Sequence, residues 1–421
     1  VLLVDAGGPE GTSADSLEGD WYDKFTKPVR AAFDIVAINE RESQVRCQGP
    51  RVNAELPLAP EPGVFDTLTA DNDRYARSCR PDVLLTINSL DRARDMDALR
   101  RGLGVDAVRF FGVSYGTVAG QALAELYPAT IRAMVLDSPQ RPRLSTRDYL
   151  VSAAAGTEEV VHGFARWCLA HWMARPRHGS CRNLARAIGP GGPITAERVI
   201  AHLRELAAAA EAGKLTDDQG DLVTPDVLTR LFSLFYARKD DSLHLEAQAD
   251  TLARWRVAHR EDVAARTVDE ATEDSHTLLR CNDFFDRTIT TDEQWHGLWQ
   301  DSRDGAPTVR TSAQHWTWMR ACLGTGLGRW RPEPFPSAVP LLVTSMRYDS
   351  TTPWTWARGL ATEAVAPLIT YNGFGHGAYD ATITHRTGRD CVAHPVEDFL
   401  LNGIVPTDRR CRGATAAPGG R

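Results

Sequence analysis

A mostly parallel, doubly wound α/β sheet with a helical domain inserted in the middle of the chain is the fold class this sequence predicts. Three observations predict it. An apolar run at 107–111 leads through a tight glycine-containing turn into a helix-forming run at 119–127. Two later apolar runs, 340–345 opening on Pro340 and 366–371, read as buried strands of a parallel sheet, the second followed by a glycine-rich loop. Between these regions, residues 140–335 lack regular strand signals and show helical periodicity, as at 158–175, 196–212 and 225–237. The chain therefore divides into a first part of the sheet core (1–139), a helical cap (140–335) and a second part of the core (336–421). Within the first part, strands are expected at 1–6, 33–38 and 133–136, with a helix over 89–102. A terminal helix is expected around 391–401.

The turn at the end of the first observation carries the chemistry. Gly112-Val113-Ser114-Tyr115-Gly116 is a Gly-x-Ser-x-Gly pentapeptide between strand and helix, the context of the α/β-hydrolase nucleophile elbow. There the serine hydroxyl projects above the sheet, and the following helix aims backbone N–H groups at an oxyanion. Asp349 leaves the 340–345 strand, and His376 sits in Gly375-His376-Gly377 after the 366–371 strand. The chain order Ser, Asp, His is that of the same architecture. Taken singly, Asp349 reads as a turn or cap residue and His376 as part of a glycine loop. Together at successive strand ends they read as a catalytic triad with Ser114. The oxyanion hole is expected from the Tyr115 N–H and one N–H of the Gly7-Gly8-Pro9 loop, that of Gly8.

With these segments, Ala6-Gly7-Gly8-Pro9, Asp95-Met96-Asp97-Ala98-Leu99-Arg100, the elbow and Met134-Val135-Leu136-Asp137-Ser138-Pro139, the chain resembles the secreted actinobacterial tripeptidyl aminopeptidases. These are relatives of proline iminopeptidases among the α/β-hydrolase serine peptidases. The resemblance runs over nearly the whole chain, and its specific part is the elbow combined with the Asp349 and His376 loops. It implies an α/β-hydrolase fold with the cap inserted before the acid-bearing strand, and a secreted or cell-surface serine exopeptidase. It also implies two further strands and a secretion signal ahead of Val1, which is already in a core strand here. Eight cysteines suit an oxidising compartment. Their connectivity is open from sequence alone, but neighbourhood and the family's arrangement imply Cys47–Cys79, Cys168–Cys181, Cys281–Cys322 and Cys391–Cys411.

Two departures from the family pattern stand out. Glu10 replaces a glycine in Gly7-Gly8-Pro9-Glu10-Gly11, which puts a carboxylate near the oxyanion hole. It either opposes the oxyanion, receives a substrate ammonium, or points to solvent. The segment Asn39-Glu40-Arg41-Glu42-Ser43-Gln44-Val45-Arg46 lacks both glycines of the family's corresponding turn and must adopt another conformation.

Composition excludes several function classes. A net charge of −7 provides no basic field for nucleic acid. No apolar run has the length of a membrane span. No Cys-x-x-Cys or His/Cys cluster has metal-ligand spacing, and no cofactor motif is present. The partners expected are therefore a small peptide or another small molecule. An exopeptidase needs carboxylates for the substrate's free amine, and besides Glu10 the candidates are Glu158, Glu159 and Asp283. For each, a solvated helix carboxylate or a cap is the ordinary reading. Trp167, Trp172, Phe232, Phe235, Tyr236, Phe284 and Phe285 would line a pocket or form cap core. The alternative function is a divergent α/β-hydrolase that cleaves an ester, lactone or amide of a small natural product.

Overall fold

The structure, a computed structural model, describes residues 1–8, 13–39, 41, 47, 56–79, 84, 86–174, 179–190, 192–233, 242–257, 275–328, 330–385 and 389–413. Its strands are β1 (Leu2–Asp5), β2 (Ile35–Val36), β3 (Val108–Val113), β4 (Ile131–Asp137), β5 (Leu215–Thr216), β6 (Arg256–Val257), β7 (Leu341–Tyr348), β8 (Leu368–Phe374) and β9 (Arg409–Arg412). All but β5 and β6 form one sheet in the order β2-β1-β3-β4-β7-β8-β9, and every described pairing in it is parallel. The chain runs outward from β1 to β2 and then crosses back to β3, so the strand order reverses between β1 and β3. In open α/β sheets such a reversal leaves a crevice at the carboxyl ends of the two strands, where ligands bind. The Gly7-Gly8 loop leaves β1 and Ser114 follows β3 at that point.

Both faces of the sheet are covered, which is why its strands are apolar runs rather than alternating ones. One face carries Leu3, Phe110, Met134, Leu136, Leu341 and Val343. It packs against α1 (Val64–Ser78), α2 (Ser89–Gly102) and α3 (Gly116–Leu126). The other face, with Val4, Phe111, Val135, Leu342 and Ile369, is covered by Trp21, Phe25, Tyr379, Val396 and Phe399. Phe110 and Phe111, adjacent in sequence, lie on opposite faces, as strand geometry requires.

The insertion between β4 and β7 begins with α4 (Thr146–Ala174). It continues through α5 (Ser180–Ile188), α6 (Ala196–Glu211), α7 (Pro225–Ser233) and α8 (Ser242–Arg254). These helices bury a core of their own around Phe164, Trp167, Leu203, Phe232 and Leu252. The next three, α9 (Ser275–Phe284), α10 (Asp292–Gly305) and α11 (Ala313–Arg320), behave differently. Their Leu278, Phe284, Trp295 and Trp316 join the core of the sheet's first face. The expectation of strand-free sequence in 140–335 is corrected by the antiparallel pair β5–β6. After β7 come α12 (Trp354–Ala364), α13 (Ala378–His385) and α14 (Ala393–Asn402).

All four cysteine pairings form as expected: Cys47–Cys79, Cys168–Cys181, Cys281–Cys322 and Cys391–Cys411. The last ties α14's approach to β9, an edge strand of Arg409-Arg410-Cys411-Arg412 that has no apolar run to announce it. Helix α4 begins at Thr146, twelve residues before the periodicity read from 158. Ser145 and Asp286 organise that start: Ser145 Oγ accepts from the Asp148 N–H (3.0 Å), and Asp286 accepts from the Thr146 N–H (2.9 Å) and hydroxyl (2.6 Å).

Candidate active site

The elbow is built from glycine contacts. A Cβ on Gly116 would strike the backbone oxygen and side chain of Asp5, so only glycine lets α3 start this close to β1. Ser114 has φ 55°, a left-handed conformation uncommon for a non-glycine residue. It is held there by its N–H donating to the Asp137 carbonyl (3.0 Å). Its own carbonyl accepts from the Thr117 N–H (3.1 Å) and hydroxyl (2.5 Å). Tyr115 caps α3 with helical dihedrals, and its side chain is buried.

The β1 loop lies against this turn. Gly7 has φ 80°, and a Cβ there would sit 3.1 Å from both Ser114 Cβ and the Tyr115 nitrogen. Asp5 shapes the loop from below: Oδ1 accepts from the Gly7 N–H (3.0 Å) and Ser13 hydroxyl (3.3 Å), while Oδ2 meets Arg92 of α2 at 2.9 Å. Both partners of that ion pair are buried. Gly8 follows, exposed, with φ 126°.

Asp349, the residue after β7, is fully enclosed. Its Oδ1 accepts from the N–H groups of Thr351 and Thr352, each at 2.9 Å. Oδ2 accepts from the Thr352 hydroxyl (2.8 Å) and meets His376 Nδ1 at 2.8 Å. These contacts fix the carboxylate, and through it the orientation of the imidazole. Thr352 Oγ also lies 3.2 Å from His376 Nδ1. Burial lowers the His376 pKa. The Asp349 charge and hydrogen bond, with the charges of Asp137 and Asp380, outweigh that and raise it overall.

The histidine loop is anchored by the end of β4. Asp137 accepts from the N–H groups of Ala378 and Tyr379 at 2.9 Å, the first turn of α13, and from the Thr344 hydroxyl at 2.7 Å. Ser138, in a left-handed conformation (φ 52°), receives the Gly377 N–H at 3.0 Å. A Cβ on Gly377 would lie 3.7 Å from Val113 Cγ1, so the loop after β8 abuts the residue before Ser114. The elbow, the Gly7-Gly8 loop, the Asp349 loop and the His376 loop thus share one end of the sheet. Sequence reading had missed Asp5, Asp137 and Thr352. The Asp137-Ser138-Pro139 segment was singled out but given no role.

Helix α4 lies over the acid loop: a Cβ on Gly156 would run into Pro353, and one on Gly163 into Tyr348. Helix α11 supports the loop from another side. Buried His315 bridges it, with Nδ1 2.7 Å from the Ser312 hydroxyl and Nε2 2.8 Å from the Thr351 carbonyl. The carbonyl must accept, so Nε2 carries the proton and Nδ1 accepts from Ser312. Burial pushes its pKa down to about 4.

The carboxylates expected to receive a substrate amine are placed otherwise. Glu158 Oε2 accepts from the N–H groups of Thr308 (2.9 Å) and Val309 (3.0 Å), and Oε1 faces His162 and Arg204. Glu159 forms an ion pair with Arg347, whose guanidinium lies over the Trp354 ring at 4.6 Å. Both line a cleft of roughly 590 Å³ with Gly156, His162, Arg166 and Thr355, and neither Ser114 nor His376 borders it. Asp283 is completely buried, and its oxygens take the Ser89 N–H (2.9 Å), the Ser89 hydroxyl (2.6 Å) and the Tyr115 hydroxyl (2.8 Å). These three carboxylates are engaged within the protein. Burial explains Asp283, and internal pairing explains the other two. Glu10 lies outside the described residues. So do residues 40 and 42–46 of the altered segment, while Arg41 binds Asp95 through two hydrogen bonds of 2.5 and 2.6 Å.

Trp167, Phe232, Phe284 and Phe285 are core residues, and Phe284 meets the Tyr115 ring edge-on at 5.8 Å. The Trp172 side chain, Phe235 and Tyr236 lie outside the described residues. Among the described residues no group of three or more His, Cys, Asp or Glu side chains is arranged to hold a metal ion. Nor is any helix among them long and apolar enough to cross a membrane.

Parallel sheet, elbow and loops define an α/β hydrolase, and comparison with known proteins agrees. The family model described as alpha/beta hydrolase fold matches residues 54–177, which hold the elbow. The model described as TAP-like protein matches residues 312–411, which hold Asp349 and His376. Within that class the chain is 24% identical to the tripeptidyl aminopeptidase of Streptomyces coelicolor, over 99% of this chain and 76% of that one. It is 22% identical to the serine protease Hip1 of Mycobacterium tuberculosis, over 96% and 79%. It is also 26% identical to a carboxylesterase B of the same species, over 98% and 79%. The resemblance to tripeptidyl aminopeptidases read from the sequence is thus matched by relatives along the whole chain.

Proposed function

We propose that the protein is a serine hydrolase of exopeptidase type, with Ser114 as nucleophile, His376 as general base and Asp349 as the group that orients the base. The observation that carries this reading is the 2.8 Å Asp349–His376 hydrogen bond at the same end of the sheet as a serine held in the left-handed elbow conformation. In the mechanism, His376 Nε2 takes the Ser114 proton as Oγ attacks the scissile carbonyl. The N–H groups of Tyr115 and Gly8 receive the oxyanion. His376 then donates its proton to the leaving amine, and water, activated by the same imidazole, hydrolyses the acyl-enzyme. The raised His376 pKa means that the neutral base is lost at a higher pH than for an ordinary imidazole.

Exopeptidase action is supported by the name of the tripeptidyl aminopeptidase relative, and export by the four disulfides. With Glu158, Glu159 and Asp283 engaged internally, Glu10 is the carboxylate we retain for the substrate ammonium. The second reading is a hydrolase of small esters, lactones or amides, and the carboxylesterase-named relative supports it. A fluorogenic panel separates the two. Free-amine di- and tripeptide amides should turn over, and N-acetylation should reduce kcat/KM by about 10- to 100-fold or more, the scale of a lost charged contact. Equal turnover of blocked and free peptides, or cleavage of esters alone, would favour the second reading.

A further inference from the structure

We propose that Asp283 is a positioning residue for the oxyanion hole, holding the Tyr115 N–H in place through the Tyr115 hydroxyl. The inference rests on the reading of Ser114 as nucleophile. Tyr115 follows the nucleophile directly, so its backbone N–H belongs to the peptide plane that leaves Ser114. At the far end of the same residue, the phenol donates to Asp283 Oδ2 at 2.8 Å. The ring between is 2% exposed and packs on Phe284, the neighbour of Asp283 on α9. Shifting the Tyr115 Cα, and the N–H with it, would drag the hydroxyl off its acceptor inside a closed core. There a lost hydrogen bond leaves a buried polar group unsatisfied.

Asp283 is itself fixed. Its other contacts are the Ser89 N–H at 2.9 Å and the Ser89 hydroxyl at 2.6 Å, at the start of α2. The preceding Asn282 donates to the carbonyls of Ile87 (2.7 Å) and Leu84 (3.2 Å), and Cys281 is bonded to Cys322. Asn282 and Asp283 therefore clamp α9 to the beginning of α2, Cys281 ties the same stretch of α9 to Cys322 beyond α11, and the clamp ends on the elbow. The chemistry also selects a carboxylate. The Ser89 N–H can only donate, and burial with the nearby Asp283 charge keeps the Tyr115 phenol protonated, so it too is a donor. An amide at 283 would turn an NH2 group toward one of them.

The test compares Ser114→Ala, Tyr115→Phe, Asp283→Asn and the Tyr115→Phe/Asp283→Asn pair on one activated ester or peptide amide. Steady-state kinetics is combined with binding of a trifluoromethyl ketone, which forms an oxyanion on the serine. Removing an oxyanion donor outright costs about 100- to 1,000-fold. Loosening one should lower kcat by roughly tenfold or more in Tyr115→Phe, with KM within about threefold. Ketone affinity should fall by a similar factor, and the acid limb set by His376 should stay where it is. Asp283→Asn should show the same split, and the double variant should lose no more than the worse single one. If Asp283→Asn does not fold, Tyr115→Phe decides, since it leaves both Ser89 bonds to Asp283 in place. Wild-type kcat and ketone affinity in Tyr115→Phe, or a change confined to KM, would overturn the proposal. If Ser114→Ala is inactive in that case, the nucleophile assignment stands and only the role of Asp283 falls. Turnover by Ser114→Ala would instead remove the assignment on which the proposal rests.

Discussion

Ser114 shows how a residue is held where its intrinsic preferences would not put it. A left-handed conformation costs an L-residue about 1–2 kcal/mol, and hydrogen bonds to Asp137 and Thr117 keep it there. His315 is held in the same sense, as a neutral imidazole buried between Ser312 and the Thr351 carbonyl. Its folded pKa is depressed from 6.5 to about 4. Between those values the unfolded chain binds more protons, so its contribution to stability is complete above about pH 6.5 and is lost as pH falls toward 4. Asp283 acts in the opposite sense, because burial raises its pKa from 3.8 to about 6. That contribution is present below about pH 3.8 and is lost as pH rises through 6. Comparing wild type with His315→Gln cancels the Asp283 term. The Tm difference between them should be widest above pH 6.5 and narrow toward pH 4. A difference independent of pH would mean that His315 is not held neutral.

At the scale of elements, legibility followed burial. Strands β3, β4, β7 and β8 were read from sequence because a sheet covered on both faces demands continuous apolar runs. Strand β9 was not, since an arginine-rich edge strand is placed by pairing with β8 and by Cys391–Cys411 rather than by its own hydrophobicity. Ser114, Asp349 and His376, the triad proposed above, were legible because each follows a strong strand. Asp283 was read as a substrate carboxylate because its partners lie 168 and 194 residues away in sequence, and nothing local points to them. Helix α9 is the element on which this matters most. Replacing Cys281 and Cys322 together with serine opens a link spanning 41 residues. The chain-entropy estimate for that loop is about 4 kcal/mol. Chemical denaturation should show a loss of that order. Because Asp283 is two residues from Cys281, kcat should fall before the protein unfolds. An unchanged midpoint and unchanged kcat would mean that the bridge holds neither the fold nor the clamp.

At the scale of the molecule, the fold brings four loops to the sheet end where the strand order reverses between β1 and β3. Helix α4 lies over the Asp349 loop and α11 holds it from another side, so the inserted segment contributes to the site's support. If this assembly makes Ser114 a nucleophile, a fluorophosphonate should label the native enzyme there. Peptide mass spectrometry should find one adduct per molecule, on Ser114. Its formation should track loss of activity one for one and slow by several orders of magnitude in His376→Ala. An adduct on another residue with activity lost, or full hydrolytic activity in a protein labelled on Ser114, would contradict the account.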